Sequence, residues 1–185
     1  GADTTLIGNT TGNTLIGGSG QATIEYTIDN VYVDLAANTA SSSTGFDTLS
    51  DVSAATVSGT ADTIAAGSAS FVLTAAGASD VLIGGSGAST LQATGQFETL
   101  LGGSGGNSLV SSGQHNTLVA QSTNNTLITS GTSDTLLASA GADHLVADGA
   151  TQATLVGNVA GSTLQALNGA DAVAAYALDN VTVNL

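Results

Sequence analysis

The sequence contains no Lys, Arg, Pro, Cys, Met or Trp. Its 14 acidic residues are accompanied by only two His residues, so the formal net charge at pH 7 is −14. Nucleic-acid binding is disfavoured because no cation is present to neutralise phosphate, and the same absence argues against nucleotide and phosphate chemistry. A buried carboxylate in this chain must be met by a backbone N–H, a hydroxyl, a His or a metal ion.

Other absences narrow the class of protein further. Without Cys there is no disulfide framework and no indication of redox compartment. No run of apolar residues is long enough to predict a membrane span. The chain starts with neither Met nor a signal peptide, so we expect it to be processed or cut from a longer protein. An apolar content of 42% argues against disorder, and an aromatic content of 3% predicts a thin core of small and branched side chains.

The strongest pattern in the sequence is an apolar residue that recurs every nine residues. The series runs Ile64, Leu73, Leu82, Leu91, Leu100, Leu109, Leu118, Leu127, Leu136 and Leu145, and then, after one step of ten, Leu155, Leu164 and Val173. Leu6, Leu15 and Ile24 keep the same spacing near the start. The intervening segments are rich in Gly, Ser, Asn and Thr, which favour turns. Each repeat therefore predicts a short strand with Leu inward, its two neighbours outward, and a tight turn.

Two kinds of turn alternate along the chain and double the period. Turns with a single glycine fall at 75–80, 93–98, 111–116 and 129–134, and between them lie turns that begin as GGSG at 84–89 and 102–107. The pattern predicts an all-β protein, a right-handed parallel β-solenoid of the β-roll type. Each coil would have about 18 residues, two short strands and two turns. Roughly ten coils at a spacing of about 4.8 Å would form a rod on the order of 50 Å long.

The chain is predicted to be a single solenoid domain, 1–185, with an interruption near its start. We divide it into N-terminal coils (1–24), an insertion with longer strands (25–58), regular nonapeptide coils (59–175) and the start of a repeated unit (176–185). The last segment, YALDNVTVNL, matches YTIDNVYVDL of 26–35 at an offset of 150 residues, from 26 to 176. Either the chain is one unit of a tandem array, or its last coil docks on the first coil of a neighbouring copy.

Several segments carry a family resemblance. LIGGSGASTLQ, LLGGSGGNSLV, AGADHLVA and NGADAVA resemble RTX (haemolysin-type) nonapeptide repeats, and 31–67 resembles the non-canonical stretches between such repeats in large exported bacterial proteins. The resemblance implies secretion, calcium held between successive turns, and a role as toxin, protease, adhesin or surface-layer protein. The family's acidic ligand lies two residues before the apolar residue. Here the complete glycine frames carry Ala22, Ser89 and Asn107 at that position, and the frames with Asp lack the paired glycines.

Polar residues at this position form two sets of candidate site residues. The candidate calcium ligands are Asp62, Asp80, Glu98, Asp134, Asp143 and Asp171. On the single-glycine edge these carboxylates could bind a hard cation with backbone oxygens, or could be solvated residues that cap the N–H groups of turns. The second set is predicted to form a polar ladder that hydrogen-bonds along the axis without a metal. It consists of Ser89, Asn107, Asn116 and Asn125.

The residues that follow the inward apolar position are candidate assembly contacts. They are Ile83, Leu101, Val110, Val119, Ile128, Leu137 and Val146. Two exposed stripes of branched side chains would be a large apolar patch for a monomer, so we expect lateral or end-on contacts with other copies. The residue before Leu is usually Thr, and a flat Thr ladder is a weaker argument for binding ice or crystalline polysaccharide.

Nothing in the sequence predicts catalysis. His115 and His144 have no zinc-site spacing, and Glu25 and Glu98 have no identifiable carboxylate partner. We therefore expect a secreted, bacterial, structural protein, extracellular or at the cell surface, that associates with itself in a filament, surface layer or adhesin stalk. The alternative is a calcium-dependent RTX module of a larger secreted adhesin, toxin or enzyme. Calcium is the one cofactor that either hypothesis would include.

Overall fold

The computed structural model describes residues 3–157, 159–168, 170–176 and 180–184, and within them the chain is all-β. None of the described residues forms a helix long and apolar enough to cross a membrane. The strands are β1 (Thr4–Ile7), β2 (Thr14–Ile16), β3 (Ala22–Tyr26), β4 (Tyr32–Asp34), β5 (Thr39–Ser42), β6 (Gly45–Ser50), β7 (Ala54–Val57), β8 (Thr63–Ala65), β9 (Val72–Ala75), β10 (Val81–Ile83), β11 (Thr90–Ala93), β12 (Thr99–Leu101), β13 (Ser108–Ser111), β14 (Thr117–Val119), β15 (Thr126–Thr129), β16 (Thr135–Leu137), β17 (His144–Asp148), β18 (Ala153–Val156), β19 (Thr163–Leu167), β20 (Ala172–Ala175) and β21 (Thr182–Asn184).

The strands form two stacked sheets, which we call sheet A and sheet B. Sheet A has ten strands in the order β1-β3-β7-β9-β11-β13-β15-β17-β19-β21, and sheet B has eleven in the order β2-β6-β5-β4-β8-β10-β12-β14-β16-β18-β20. From β7 onward successive strands alternate between the sheets, and each pairs in parallel with the strand one coil away. Leu91 lies opposite Leu109 in sheet A, and Leu100 lies opposite Leu118 in sheet B. The predicted solenoid with coils of about 18 residues is confirmed.

The core consists of two columns of side chains from each sheet, one of large and one of small residues. The residues of the nine-residue series from Ile64 to Leu164 are fully buried. Two residues further along, the inward position holds a small side chain, such as Ala75, Ala93 or Ser111, which is also buried. Large and small residues thus alternate along each inner face, and each buried Leu contributes about 1.5–3 kcal/mol through removal of apolar surface from water.

The register lengthens in the last coils, and one predicted core residue is displaced. Leu145 lies opposite Leu164, and Leu155 lies opposite Ala174, so these coils have 19 residues. Val173, which the sequence places inward, instead pairs with Thr154 and is 64% exposed. The extra residue enters after β19, where Asn168 adopts a left-handed conformation with φ of 53°. A second step of ten therefore follows the one visible in the sequence.

The insertion is an antiparallel excursion within sheet B. Strand β4 pairs in parallel with β8 and antiparallel with β5, and β6 pairs antiparallel with β5 and in parallel with β2. The sequence predicts longer strands in this insertion, but β4 has only three residues, Tyr32–Asp34. It ends there because the Asp34 carboxylate accepts hydrogen bonds from the N–H groups of Ala36 and Ala37 at 3.0 and 2.9 Å, which forms a turn.

A buried hydrogen-bond cluster anchors the excursion to the first coils. The Tyr26 hydroxyl donates to Asp47 at 3.0 Å, and the N–H groups of Thr10 and Asn13 donate to the same carboxylate at 2.9 and 2.8 Å. Burial opposes ionisation of Asp47, but these hydrogen bonds outweigh it and hold its pKa below the usual value. Burial is also the largest cause of the raised pKa of Tyr26.

The two matching segments near the ends of the chain lie on opposite sheets. Tyr32–Asp34 forms β4 in sheet B, whereas its counterpart Thr182–Asn184 forms β21 in sheet A. The sequence offset of 150 residues therefore does not correspond to a whole number of coils. Residues 177–179 and 185 of the second segment lie outside the described residues.

The glycines of the single-glycine turns are required by close approach between coils. A Cβ on Gly95 would lie 2.1 Å from the carbonyl oxygen of Gly77, and one on Gly113 would lie 1.8 Å from that of Gly95. Neither glycine has a positive φ. The turns retain glycine because consecutive backbones come into contact there.

We predict that Gly95→Ala destabilises the fold by about 1–3 kcal/mol or more, because the neighbouring backbone must move to admit the methyl group. Chemical denaturation followed by circular dichroism would measure the loss. Gly18→Ala is the matched control, since nothing lies within 4 Å of a Cβ at that position. Equal stability of the two variants would contradict the close-packing argument.

Candidate functional site

A left-handed residue sets up each turn on the single-glycine edge. Ala61, Ser79, Phe97, His115 and Ser133 have φ between 57° and 63°. Each is followed by a residue of the column that contains the candidate ligands, and each of those residues is buried. The preceding residues Thr60, Ala78, Gln96, Gln114 and Thr132 form a line of parallel bridges. This backbone conformation, which is uncommon for residues other than glycine, is thus repeated at each of these turns on the single-glycine edge.

The buried column on this edge forms a continuous hydrogen-bonded row, which we call the acidic ladder. It consists of Asp62, Asp80, Glu98, Asn116 and Asp134. Each side chain accepts a hydrogen bond from a backbone N–H one coil earlier: Asp62 from Val31, and each later member from the member before it, at 2.7–2.8 Å. No member is more than 1% exposed. The hypothesis of solvated edge residues is therefore wrong, although the side chains do cap turn N–H groups.

The opposite edge carries a second row, which we call the amide ladder. It consists of Ser89, Asn107, Asn125 and Asp143. Phe71 N–H donates to Ser89 at 3.1 Å, Ser89 N–H to Asn107 at 2.8 Å, and the next two links measure 2.9 and 3.0 Å. The Asn107 amide group also donates to the carbonyl oxygens of Gly102 and Gly105. An amide satisfies both donors and acceptors of this turn. Of the sequence-predicted ladder residues, only Asn116 lies on the other edge.

The carboxylates differ in how their second oxygen is satisfied. Asp134 Oδ2 accepts hydrogen bonds from the hydroxyls of Ser111 at 2.7 Å and Thr129 at 2.6 Å. Four other carboxylates, in contrast, have a buried oxygen without any hydrogen-bond partner: Asp62 Oδ2, Asp80 Oδ2, Glu98 Oε1 and Asp143 Oδ2. A buried anion with an unpaired oxygen is costly, so these four groups are less easily ionised.

Burial raises the pKa of these carboxyls. Burial is the largest cause for Asp62, whose pKa rises to about 6. The N–H groups of Val31 and Gly59 act in the opposite direction and lower this pKa, although Gly59 does not complete a hydrogen bond to Oδ2. Burial and then the charge of Asp80 raise the pKa of Glu98 to about 7. The pKa values of Asp80 and Asp143 are also raised, in each case chiefly by burial.

The candidate metal ligands are not gathered around one point in the described residues. Calcium takes about six to eight oxygen ligands, but among the described residues no three acidic or His side chains come together around one point. Every ladder carboxylate uses one oxygen on a backbone N–H. Asp143 belongs to the amide ladder, and Asp171 is exposed and outside both ladders. We therefore assign no metal ligand among these residues.

The candidate assembly residues divide unequally between the two sheets. In sheet B, Ile83, Leu101, Val119 and Leu137 lie in register on neighbouring strands, and Val156 continues the column. A parallel column contains Thr99, Thr117, Thr135 and Thr154 in the same registers. We call these two columns the sheet B face. It has no charged side chain over these strands, and its aliphatic members are half-buried by their neighbours.

The apolar stripe of sheet A is short and polar at both ends. Val110, Ile128 and Val146 lie in register, with Gln92 before them and Gln165 after them. Val146 is 6% exposed, which differs from its predicted exposure. Val146 lies between Ile128 and Gln165 in this column, and Gln165 also forms a hydrogen bond with His144 at 3.4 Å.

Exposed acidic side chains occur only towards the two ends of the described chain. Those that are not buried are Asp3, Glu25, Asp29, Asp34, Asp51, Asp148 and Asp171. Between residues 52 and 147 every Asp and Glu belongs to a ladder and is buried. The exposed His115 ring stacks on Phe97, with centroids 5.1 Å apart. The central coils thus present a surface without carboxylates in a chain whose net charge is −14.

Comparison of the chain with protein-family models, with curated proteins and with solved structures finds no match. The function must therefore be inferred from the geometry of the ladders, the faces and the charges.

We predict that Asn107→Ala destabilises the fold by about 1–3 kcal/mol, because it leaves the Ser89 N–H and the Gly102 carbonyl buried without their partner. Urea denaturation would measure this change. Gln114→Ala removes an exposed amide from the opposite edge and serves as the control, with an expected effect within about 0.5 kcal/mol. If the two variants lose the same stability, the ladder contributes nothing specific.

Proposed function

We propose that this chain is a structural, self-associating solenoid unit, of the kind that builds an extracellular filament, surface layer or adhesin stalk. The observation that carries the proposal is the charge-free sheet B face on a strongly acidic protein. The bacterial, extracellular setting rests on the resemblance to haemolysin-type repeats and on the absence of Lys and Arg, which leaves few chemistries other than packing and hydrogen bonding.

The distribution of charge favours side-by-side contact of the central coils. A net charge of −14 would make copies of this chain repel each other. At physiological salt, however, charges act over a screening length of about 8 Å. The stretch of 52–147, in which every carboxyl is buried, covers about five coils, or roughly 24 Å along the axis. Its middle therefore lies beyond the reach of the exposed carboxylates at either end.

The size of the sheet B face favours many weak contacts over an isolated dimer. Two columns about 7 Å apart on strands spaced about 4.8 Å apart present roughly 200–300 Å². A stable pair of proteins usually buries about 800 Å² per partner. Such a narrow, flat face is better suited to repeated contacts in an ordered array, where each contact holds the next one in place.

The charge-free face leads to a prediction about assembly. The double variant Leu101→Glu and Leu137→Glu places two carboxylates on the sheet B face, and we expect it to lose association of the wild-type protein at high concentration. The measurements are analytical ultracentrifugation and negative-stain electron microscopy.

Val110→Glu and Ile128→Glu are the matched control, since they add the same charge to half-buried aliphatic positions of sheet A. Loss of association in both double variants would show that net charge matters and the particular face does not. Wild-type protein that stays monomeric across salt and concentration would overturn self-association. Binding of that monomer to ice or to crystalline polysaccharide would assign the face to that surface instead.

We further predict that removal of calcium leaves the fold intact, because backbone N–H groups already join each ladder side chain to the neighbouring coil. Circular dichroism in excess chelator and then in millimolar calcium should give the same β-sheet spectrum and unfolding midpoint. A spectrum that collapses in chelator would instead favour the alternative, a calcium-dependent module of a larger secreted adhesin, toxin or enzyme. Magnesium at equal ionic strength controls for charge screening.

A further inference from the structure

Three consecutive members of the acidic ladder lie in a pocket of the coil that offers no hydroxyl. For Asp134, the hydroxyls come from Thr129, five residues before it, and Ser111, 23 residues before it. The residues five positions before Asp62, Asp80 and Glu98 are the buried apolar residues Val57, Ala75 and Ala93. Ala75 also lies 23 residues before Glu98. The same backbone position is thus supplied with donors in one coil and with methyl groups in three others.

The second oxygens of this row have no completed hydrogen bond. The N–H groups of Gly59 and Gly77 lie close enough to lower the pKa of Asp62 and Asp80, but neither completes a hydrogen bond. The backbone N–H of Val31, Asp62 and Asp80 is each used on one oxygen of the next carboxyl. The chain contains no Lys or Arg. Each second oxygen is nevertheless fully buried and unpartnered. The second oxygen of a carboxylate in this position has neither solvent nor a completed hydrogen bond, whereas a protonated carboxyl carries its own donor and no charge.

The titratable groups around the row add negative charge and none of the opposite sign. Asp29 lies at one end, where it accepts a hydrogen bond from Thr60 N–H at 2.9 Å. At the other end the neutral Asn116 separates Glu98 from Asp134. His115 on this edge is exposed and stacked on Phe97, and sheet A contributes only the apolar inner residues of β7, β9 and β11. Ionisation of all three carboxyls would place like charges on successive coils, about 4.8 Å apart.

We propose that Asp62, Asp80 and Glu98 form a buried proton-binding row, so that the folded chain holds protons in the weakly acidic to neutral range where the unfolded chain has released them. In this row a bound proton would serve as the hydrogen-bond donor that an amide or a hydroxyl provides at other ladder positions. The row is independent of assembly through the sheet B face.

The direction of the pH dependence follows from burial. In the unfolded chain these carboxyls have their ordinary pKa values near 4. In the folded chain burial raises the pKa of Asp62 to about 6 and of Glu98 to about 7. The folded state therefore binds more protons between these limits. The contribution of this row to the free energy of unfolding is therefore greatest below about pH 4, and it is lost as pH rises through 6 to 7.

The first test observes the proton directly. Glu98 and Glu25 are the only two glutamates, so selective 13C labelling of the glutamate carboxyl carbons gives two resonances. Glu98→Gln identifies which signal is which. In excess chelator, we expect the Glu98 signal to titrate near pH 7 or to remain protonated above it. A Glu98 signal that stays ionised down to pH 5 in the folded protein would overturn the proposal.

The second test measures linkage to stability. The denaturant midpoint of the wild type should be higher at pH 5 than at pH 8, with about one proton taken up on folding across this interval. Glu98→Gln should weaken this dependence and raise the midpoint at pH 8, while both His residues are retained. Ala75→Ser restores a hydroxyl at the position equivalent to Thr129 and Ser111, and should also raise the midpoint at pH 8. If the pH dependence of both variants equals that of the wild type, the row binds no protons.

Discussion

The hydrogen bond from a ladder residue's backbone N–H to the side chain one coil later is the interaction on which the structure depends. Strand pairing joins the coils along their two flat sides, but the corners have N–H groups that a sheet cannot satisfy. Asp62, Asp80 and their successors satisfy these groups on one edge, and Asn107 and Asn125 do so on the other. The column of buried Leu residues can stay in register because both corners are pinned at the same spacing.

The same interaction determines where the charge of the protein lies. With no Lys or Arg, a buried carboxylate depends on backbone N–H and hydroxyl donors, and each ladder position supplies one such N–H. Asp134 completes its requirements with two hydroxyls, whereas Glu98 lacks them. Removing the acids of the central coils from the surface leaves the sheet B face neutral. A structural need at the corners thus produces the surface property on which the proposed assembly depends.

The sequence predicts the coil well and the corners poorly, for physical reasons. Leu residues at a fixed spacing identify the inner face because burial of a large apolar side chain is a strong and local signal. The polar column two residues before Leu is visible in the sequence. On the single-glycine edge its inward direction depends on the left-handed residue before it, and neither Phe97 nor His115 indicates that conformation as a residue type. Val173 was misplaced because a one-residue insertion near Asn168 shifts the register without changing composition. The antiparallel excursion could not be predicted because the sequence does not show that β6 pairs with the distant strand β2.

Acids and amides occupy equivalent ladder positions because they present the same acceptor oxygen to the N–H one coil earlier. They differ only at the second atom, where Asn116 donates to Ser111 and Asn125 donates to carbonyl oxygens. A protonated carboxyl has the same pattern, with one acceptor and one donor, and it is of nearly the same size. A row of buried acids without hydroxyl neighbours is therefore equivalent to a row of amides only while it holds protons. Asn or Gln at these positions could form the same hydrogen bonds. Only the acids, however, make the stability of the coil depend on pH, because amides do not titrate.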